Sequence, residues 1–161
     1  MRAFFDTNVI VYAFDPPSGL RHARALGLVE QHALADSLVI STQVLQESYS
    51  VLTRKRGVPA EVARTGLTRL ASQQVVPSSA AFVLEAMAFA EQQQLSIWDA
   101  LVVTAAIEAR CDTLFTEGLQ NSRRYGDLEV VNPFQLGAHE TAPPAPHSRP
   151  RRAVASRSQR L

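Results

Sequence analysis

Cysteine is almost missing from this sequence: Cys111 is the only one in 161 residues. A single thiol closes no disulfide within the chain and builds no cysteine-rich zinc site, which excludes a disulfide scaffold and a zinc ribbon. Long apolar runs are missing as well. No stretch reaches the roughly 18 uninterrupted apolar residues of a membrane span, so no membrane association is expected. Met1-Arg2-Ala3 leads straight into Phe4-Phe5-Asp6, without the apolar region and cleavage site of a secretory leader. A reducing, cytoplasmic location is the expectation. There is no glycine-rich phosphate loop and no Gly-x-Ser-x-Gly elbow. The histidines, His22, His32, His139 and His147, are scattered in contexts that read as exposed. They offer no nitrogen-rich metal set.

What is present suffices for one compact domain, since 46% of the residues are hydrophobic. The net charge of +1 hides an uneven distribution. Five of the sixteen basic residues (Arg149, Arg151, Arg152, Arg157 and Arg160) lie in 137–161, with one of the fifteen acids, Glu140. Eleven bases and fourteen acids remain before them, so the body of the chain is slightly acidic. Global charge gives it no argument for nucleic-acid binding. Residues 137–161 also hold Pro143, Pro144, Pro146 and Pro150 and no apolar periodicity. They read as a disordered basic tail on a domain of residues 1–136. Such a tail suits contact with an acidic partner or no role at all.

Short β-type runs alternate with helical patterns along the domain. Strands are expected at Ala3-Phe4-Phe5, Leu38-Val39-Ile40, Val75-Val76, Thr113-Leu114-Phe115 and Glu129-Val130-Val131, with helices near 20–34, 43–55, 60–72, 79–93 and 97–110. Strands separated by helices argue for a three-layer α/β fold with a central parallel sheet. Val9 to Phe14 is apolar on every side; we read it as a short buried helix after a turn at Asp6-Thr7-Asn8.

Three acids stand where such a fold gathers ligands, beyond the carboxyl ends of its strands. Asp6 follows the first strand, and Thr7 and Asn8 can hydrogen-bond its carboxylate or cap the next helix. Ordinary turn and cap chemistry explains it equally well. Glu47 lies three residues after Val44 and four before Val51, at the margin of a helical apolar stripe. Either it reaches water from that margin or it is paired or metal-bound. Asp99 has Ser96 three residues before it, the spacing of a capping box. As a set, the acids can converge on a hard divalent cation such as Mg²⁺ or Mn²⁺. Such an ion activates water against a phosphodiester.

These segments resemble a known family. Phe5-Asp6-Thr7-Asn8-Val9-Ile10-Val11-Tyr12-Ala13 is similar to the opening of PIN domains of the VapC toxin type. Ser41-Thr42-Gln43-Val44-Leu45-Gln46-Glu47 resembles their second acidic motif, and Ile97-Trp98-Asp99-Ala100-Leu101-Val102 the third. Val130-Val131-Asn132-Pro133-Phe134 is similar to their ending. The resemblance covers residues 1 to about 134. It implies a PIN-like fold and endonucleolytic cleavage of RNA, with Asp6, Glu47 and Asp99 as catalytic acids. Asp6 and Asp99 would ligate Mg²⁺ or Mn²⁺ directly, and Glu47 would ligate it too or orient water. It also implies a homodimer inhibited by a VapB-like antitoxin, gripped by the helices at 43–55 and 60–72.

The chain departs from the family at the fourth acid. The usual Thr-x-Asp is Thr116-Glu117-Gly118 here, and Leu119-Gln120-Asn121 keeps the alignment in register. Glu117 could substitute, water could fill the gap, or the domain could be a degenerate one that binds RNA or antitoxin without cutting. A different phosphohydrolase on a similar sheet is a further reading, but position 8 is Asn where an Asp-x-Asp nucleophile motif needs its second aspartate. Three lesser candidates remain. Arg54-Lys55-Arg56-Gly57 reads as helix termination or phosphate contact. Arg123, Arg124 and Tyr125 read as cleft-side RNA contacts or a solvated loop. Trp98 is expected to pack at the start of its helix rather than to meet substrate.

Overall fold

The computed structural model describes residues 1–135. The expected basic tail therefore lies outside the described residues. Within them, strand β1 (Ala3–Phe5) leads into helix α1 (Thr7–Ala13), a 3₁₀ turn at Pro16–Ser18 and helix α2 (Leu20–Leu34). Then follow β2 (Leu38–Ser41), α3 (Thr42–Arg54), α4 (Ala60–Leu70), β3 (Gln74–Val76), α5 (Ala80–Gln93) and α6 (Ile97–Glu108). Strands β4 (Thr113–Phe115), β5 (Arg124–Tyr125) and β6 (Leu128–Val131) complete the regular structure of the described residues.

The sheet has the order β3-β2-β1-β4-β6-β5. Five strands run parallel, in the register Phe4 to Val39 on one side of β1 and Phe4 to Leu114 on the other. The three residues of β1 are fully buried, as a parallel strand covered on both faces must be. Helix α1 packs on α2 and α3, α5 packs on α6, and α2, α3 and α6 all meet β2. This is the expected three-layer α/β architecture, with two differences. Strand β5 is a sixth, antiparallel strand at the sheet edge, pairing Tyr125 with Leu128 across Gly126-Asp127. Gly126 has φ +62°, a conformation a two-residue hairpin demands and glycine adopts without strain. Second, Asp6-Thr7-Asn8 is no turn: α1 begins at Thr7 with Asp6 as its N-cap.

Serine hydroxyls start three of the later helices. Ser41 accepts from the Val44 N–H, Ser79 from that of Phe82 and Ser96 from that of Asp99, each satisfying an otherwise unpaired first-turn donor. Helix α4 carries a glycine in its middle, which costs roughly 0.5–1 kcal/mol relative to alanine. The packing explains Gly66: a Cβ there would sit 2.3 Å from Cε1 of Phe14. Gly66→Ala is therefore expected to lower the melting temperature, against its helix propensity. A thermal melt of the variant checks this.

Candidate active site

Strand β1 is flanked by β2 and β4. The chain runs outward through β2 and β3, then returns through α5 and α6 to insert β4 on the opposite side of β1. A crevice opens at such a reversal, beyond the carboxyl ends of the two strands. Asp6 follows β1 and Thr116 follows β4, and the two meet there. Thr116 Oγ1 donates to Asp6 Oδ2 at 2.6 Å. Asn8 Nδ2 donates to the same oxygen at 2.7 Å, and the Thr7 N–H to Oδ1 at 2.6 Å.

Helix α3 brings in Glu47, whose two oxygens accept from Thr7 Oγ1 at 2.9 Å and Gln43 Nε2 at 3.1 Å. The Gln43 amide also donates to the Trp98 carbonyl at 3.5 Å, tying α3 to the start of α6. Asp99 enters on that first turn, its Oδ2 accepting from Ser96 Oγ at 2.7 Å. Asp6, Glu47 and Asp99 thus line one cleft of about 570 Å³. Burial pushes the Asp6 carboxyl above its ordinary value of 3.8; hydrogen bonds from Thr116 and Thr7 oppose the shift, and the charges of Glu47 and Asp99 add to it.

None of the three acids forms an ion pair among the described residues. The donor set is all oxygen, which suits Mg²⁺ or Mn²⁺ rather than a soft metal. Among the described residues, no three His, Cys, Asp or Glu side chains stand close enough to form a metal cage by themselves. Mg²⁺ needs no such cage, because it keeps several waters and binds through one or two carboxylates. The residues fit a water-rich divalent site.

Around the acids, the structure separates the lesser candidates. Glu117 lines the cleft, but its carboxylate is held by Tyr12 Oη at 2.9 Å and by the Arg21 guanidinium at 3.0 Å. Gly118 has no positive φ, and its N–H donates to Thr116 Oγ1 at 3.0 Å. Lys55 and Arg56 also line the cleft, Arg56 being paired with the buried Asp15 at 2.9 Å. Arg124 and Tyr125 do not: they line a separate cavity of about 680 Å³ with Phe89 and Ile107. The Arg123 guanidinium lies 4.7 Å from the Tyr125 ring and Tyr125 is buried, so this segment is neither a cleft contact nor a loose loop. His32 is half-buried against Phe5 and Phe115. Trp98 does not pack as expected; it is 61% exposed at the cleft. The reasoning from sequence missed Gln43 and Tyr12. Gln43 lay inside a recognised motif, four residues before Glu47 and on the same helical face, which was the available signal.

The PIN-domain family model matches residues 3–126. The chain belongs to the PIN-domain family. Solved structures with this fold include a toxin–antitoxin complex from Klebsiella pneumoniae, 22% identical, covering 83% of this chain and 99% of that one with a TM-score of 0.62. VapBC2 from Rickettsia felis, bound to a DNA fragment from its promoter, is 24% identical over 81% of this chain and 97% of that one, with a TM-score of 0.56. VapC20 of Mycobacterium tuberculosis, a toxin that cleaves the sarcin–ricin loop, is 20% identical over 70% and 86%, with a TM-score of 0.56. No curated protein matches the chain by sequence.

The Asp6 carboxyl of this PIN domain has a measurable signature. Because its folded-state pKa lies above 3.8, Asp6 stabilises the metal-free fold fully below that pH. The contribution is lost as pH rises through the elevated value. Thr116→Val removes the hydrogen bond that opposes the shift, so the Asp6 midpoint should move higher still. A carboxyl-carbon NMR titration in EDTA reads both values; an Asp6 midpoint at or below 3.8 in the wild type is the contrary result.

Proposed function

We propose that this PIN domain is a Mg²⁺- or Mn²⁺-dependent endoribonuclease and the toxin of a toxin–antitoxin pair. The observation that carries the reading is that Asp6, Glu47 and Asp99, from three separate elements, line one cleft and none of them is ion-paired among the described residues. A divalent ion held by Asp6 and Asp99 would polarise a phosphodiester and lower the pKa of an attacking water. The chain's own part is positioning. Thr7, Asn8 and Thr116 fix the Asp6 carboxylate, and the Ser96 cap fixes Asp99. Thr7 and Gln43 hold Glu47, the acid suited to orient that water. Lys55 supplies positive charge to the phosphate backbone, Arg56 being already paired with Asp15.

The antitoxin-bound structures of the same fold support a VapB-like partner, and the family resemblance implies a homodimer and a cytoplasmic setting. Helices α3 and α4, packed through Leu52 and Ala63 against Val11, are the surface we assign to antitoxin. Residues 1–136 form the catalytic domain in this reading and 137–161 an appended basic tail. The test is cleavage of a structured RNA by purified protein, dependent on Mn²⁺ or Mg²⁺ and abolished by EDTA. Gly118 favours a second reading, a degenerate domain that binds RNA or antitoxin without cutting. Metal-independent binding with no cleavage at any Mn²⁺ concentration would select it.

A further inference from the structure

The five arginines of residues 137–161 have no part in the chemistry described so far, yet the chain enters that segment at the wall of the cleft. Phe134, the last but one of the described residues, sets its ring edge-on against Tyr12 with 5.0 Å between centroids. The Arg21 guanidinium lies 5.5 Å from the same ring. Tyr12 itself lines the cleft and donates to Glu117. Whatever follows Gln135 therefore starts beside the acids. Arg149 stands fourteen positions beyond Gln135, and covalent geometry gives a chain of that length a reach of up to roughly 50 Å. The cleft is within it.

The charges match as well. Asp6, Glu47, Asp99 and Glu117 line the cleft against Lys55 and Arg56, and Arg56 is already paired with Asp15. Residues 137–161 set five arginines against Glu140 alone. A buried acceptor at the cleft also asks for a donor. Gln43 is 7% exposed, and its Oε1 has no hydrogen-bond partner among the described residues. A guanidinium carries five N–H donors and no acceptor, in a fork that fits a carboxylate. The chain's exit also borders a groove of about 870 Å³ along α2, but there Arg24 offsets Glu129 and acid is not in excess. We propose that arginines of residues 149–160 dock in the acidic cleft of their own chain and compete there with the divalent cation. Little intrinsic affinity is needed, because a short tether holds a group at an effective concentration on the order of millimolar. This rests on the metal-site reading above and adds its regulation: the cleft is covered when the cation is scarce and opens as it rises.

The test compares the full chain with a variant carrying Arg149→Gln, Arg151→Gln, Arg152→Gln, Arg157→Gln and Arg160→Gln. Trp98 is the chain's only tryptophan and is exposed at the cleft. Acrylamide quenching of its fluorescence in EDTA thus reads whether the site is covered, with neither metal nor RNA present. In low salt the wild-type indole should be shielded relative to the variant. The difference should vanish near 1 M salt, where the screening length falls to about 3 Å, and should not change on dilution. Mn²⁺ binding followed by electron paramagnetic resonance gives an independent reading. A site open for only part of the time binds more weakly in proportion, so the variant should bind about three- to tenfold more tightly in low salt. Shielding by the arginines in a protein that never binds Mn²⁺ would uphold the docking and sink the metal reading. Equal quenching of the two proteins in low salt overturns the inference, as does equal affinity where Mn²⁺ binds. Shielding lost on dilution also overturns it, since the covering segment would then belong to a second copy. Weaker binding of RNA by the variant with unchanged Mn²⁺ affinity overturns it too, and makes these arginines a handle for RNA.

Discussion

Asp6→Asn and Asp99→Asn should each reduce Mn²⁺-dependent cleavage by more than the roughly 10–100-fold typical of residues that only orient a metal ligand. Each substitution keeps shape and removes a charge where the cation would sit. Their effects on the fold should differ. At position 6 all three hydrogen-bond partners of the carboxylate are donors: the Thr7 N–H, Asn8 Nδ2 and Thr116 Oγ1. An asparagine there must point its own NH₂ at one of them, leaving a conflict of about 1–3 kcal/mol. Relief of burial and of repulsion from Glu47 and Asp99 acts the other way, so the melting temperature in EDTA should move by only a few degrees. At position 99 the single side-chain partner is a hydroxyl that can also accept, so asparagine meets no such conflict; relief of repulsion is offset by the loss of a first-turn charge from α6, and the metal-free variant should melt close to the wild type. Adding Mn²⁺ should raise the wild-type melting temperature by mass action, and neither variant should follow. Full cleavage, or a full Mn²⁺ shift, in either variant would remove that residue from the metal site.

The second large effect is a gain. Gly118→Asp should tighten Mn²⁺ binding about tenfold or more, a free energy of about 1.4 kcal/mol, and raise cleavage at limiting metal. Its backbone accepts a side chain: there is no positive φ, and an added Cβ would meet Thr116 Oγ1 at 3.6 Å and Asn8 Nδ2 at 3.9 Å, both ordinary contacts. Those atoms are the ones that bind Asp6, so the new carboxylate would enter beside it. Without metal the same change adds a fourth like charge and should lower stability in EDTA. Glu117→Gln should leave Mn²⁺ affinity nearly unchanged, because Glu117 is already engaged by Tyr12 and Arg21. Manganese titrations of the three proteins decide it. A large loss in Glu117→Gln with no gain from Gly118→Asp would instead make Glu117 the substitute ligand.

Much of this was legible in the residues themselves, and the failures have physical causes. The alternation of β-type and helical segments marked the layers, because a parallel sheet requires crossover helices between its strands. Strand β5 escaped notice because Arg124 and Tyr125 are two residues with no period to read. Its signal was the Gly126-Asp127 pair between them and Leu128. The Asp6 segment looked like a turn because cap and turn chemistry use the same residue types; only the observed helix at Thr7 separates them. Trp98 reads from the sequence as packing at the start of its helix, yet its place on the first turn of α6 leaves the ring outside the core. Glycine at 118 was visible as a missing acid. That Glu117 is tied to Arg21, nearly a hundred positions earlier, follows from the β1–β4 pairing and from no local pattern.

The return of the chain to place β4 beside β1 also sets a clock. Asp6 and Thr116 are separated by 110 residues, and Asp99 precedes Thr116 on the far side of α5. At the usual 5–20 residues per second of protein synthesis, on the order of ten seconds pass between the emergence of Asp6 and that of its partner. Until then Asp6 lacks the Thr116 hydroxyl that holds its carboxylate, so the cleft cannot be complete on the nascent chain before its fourth strand has emerged.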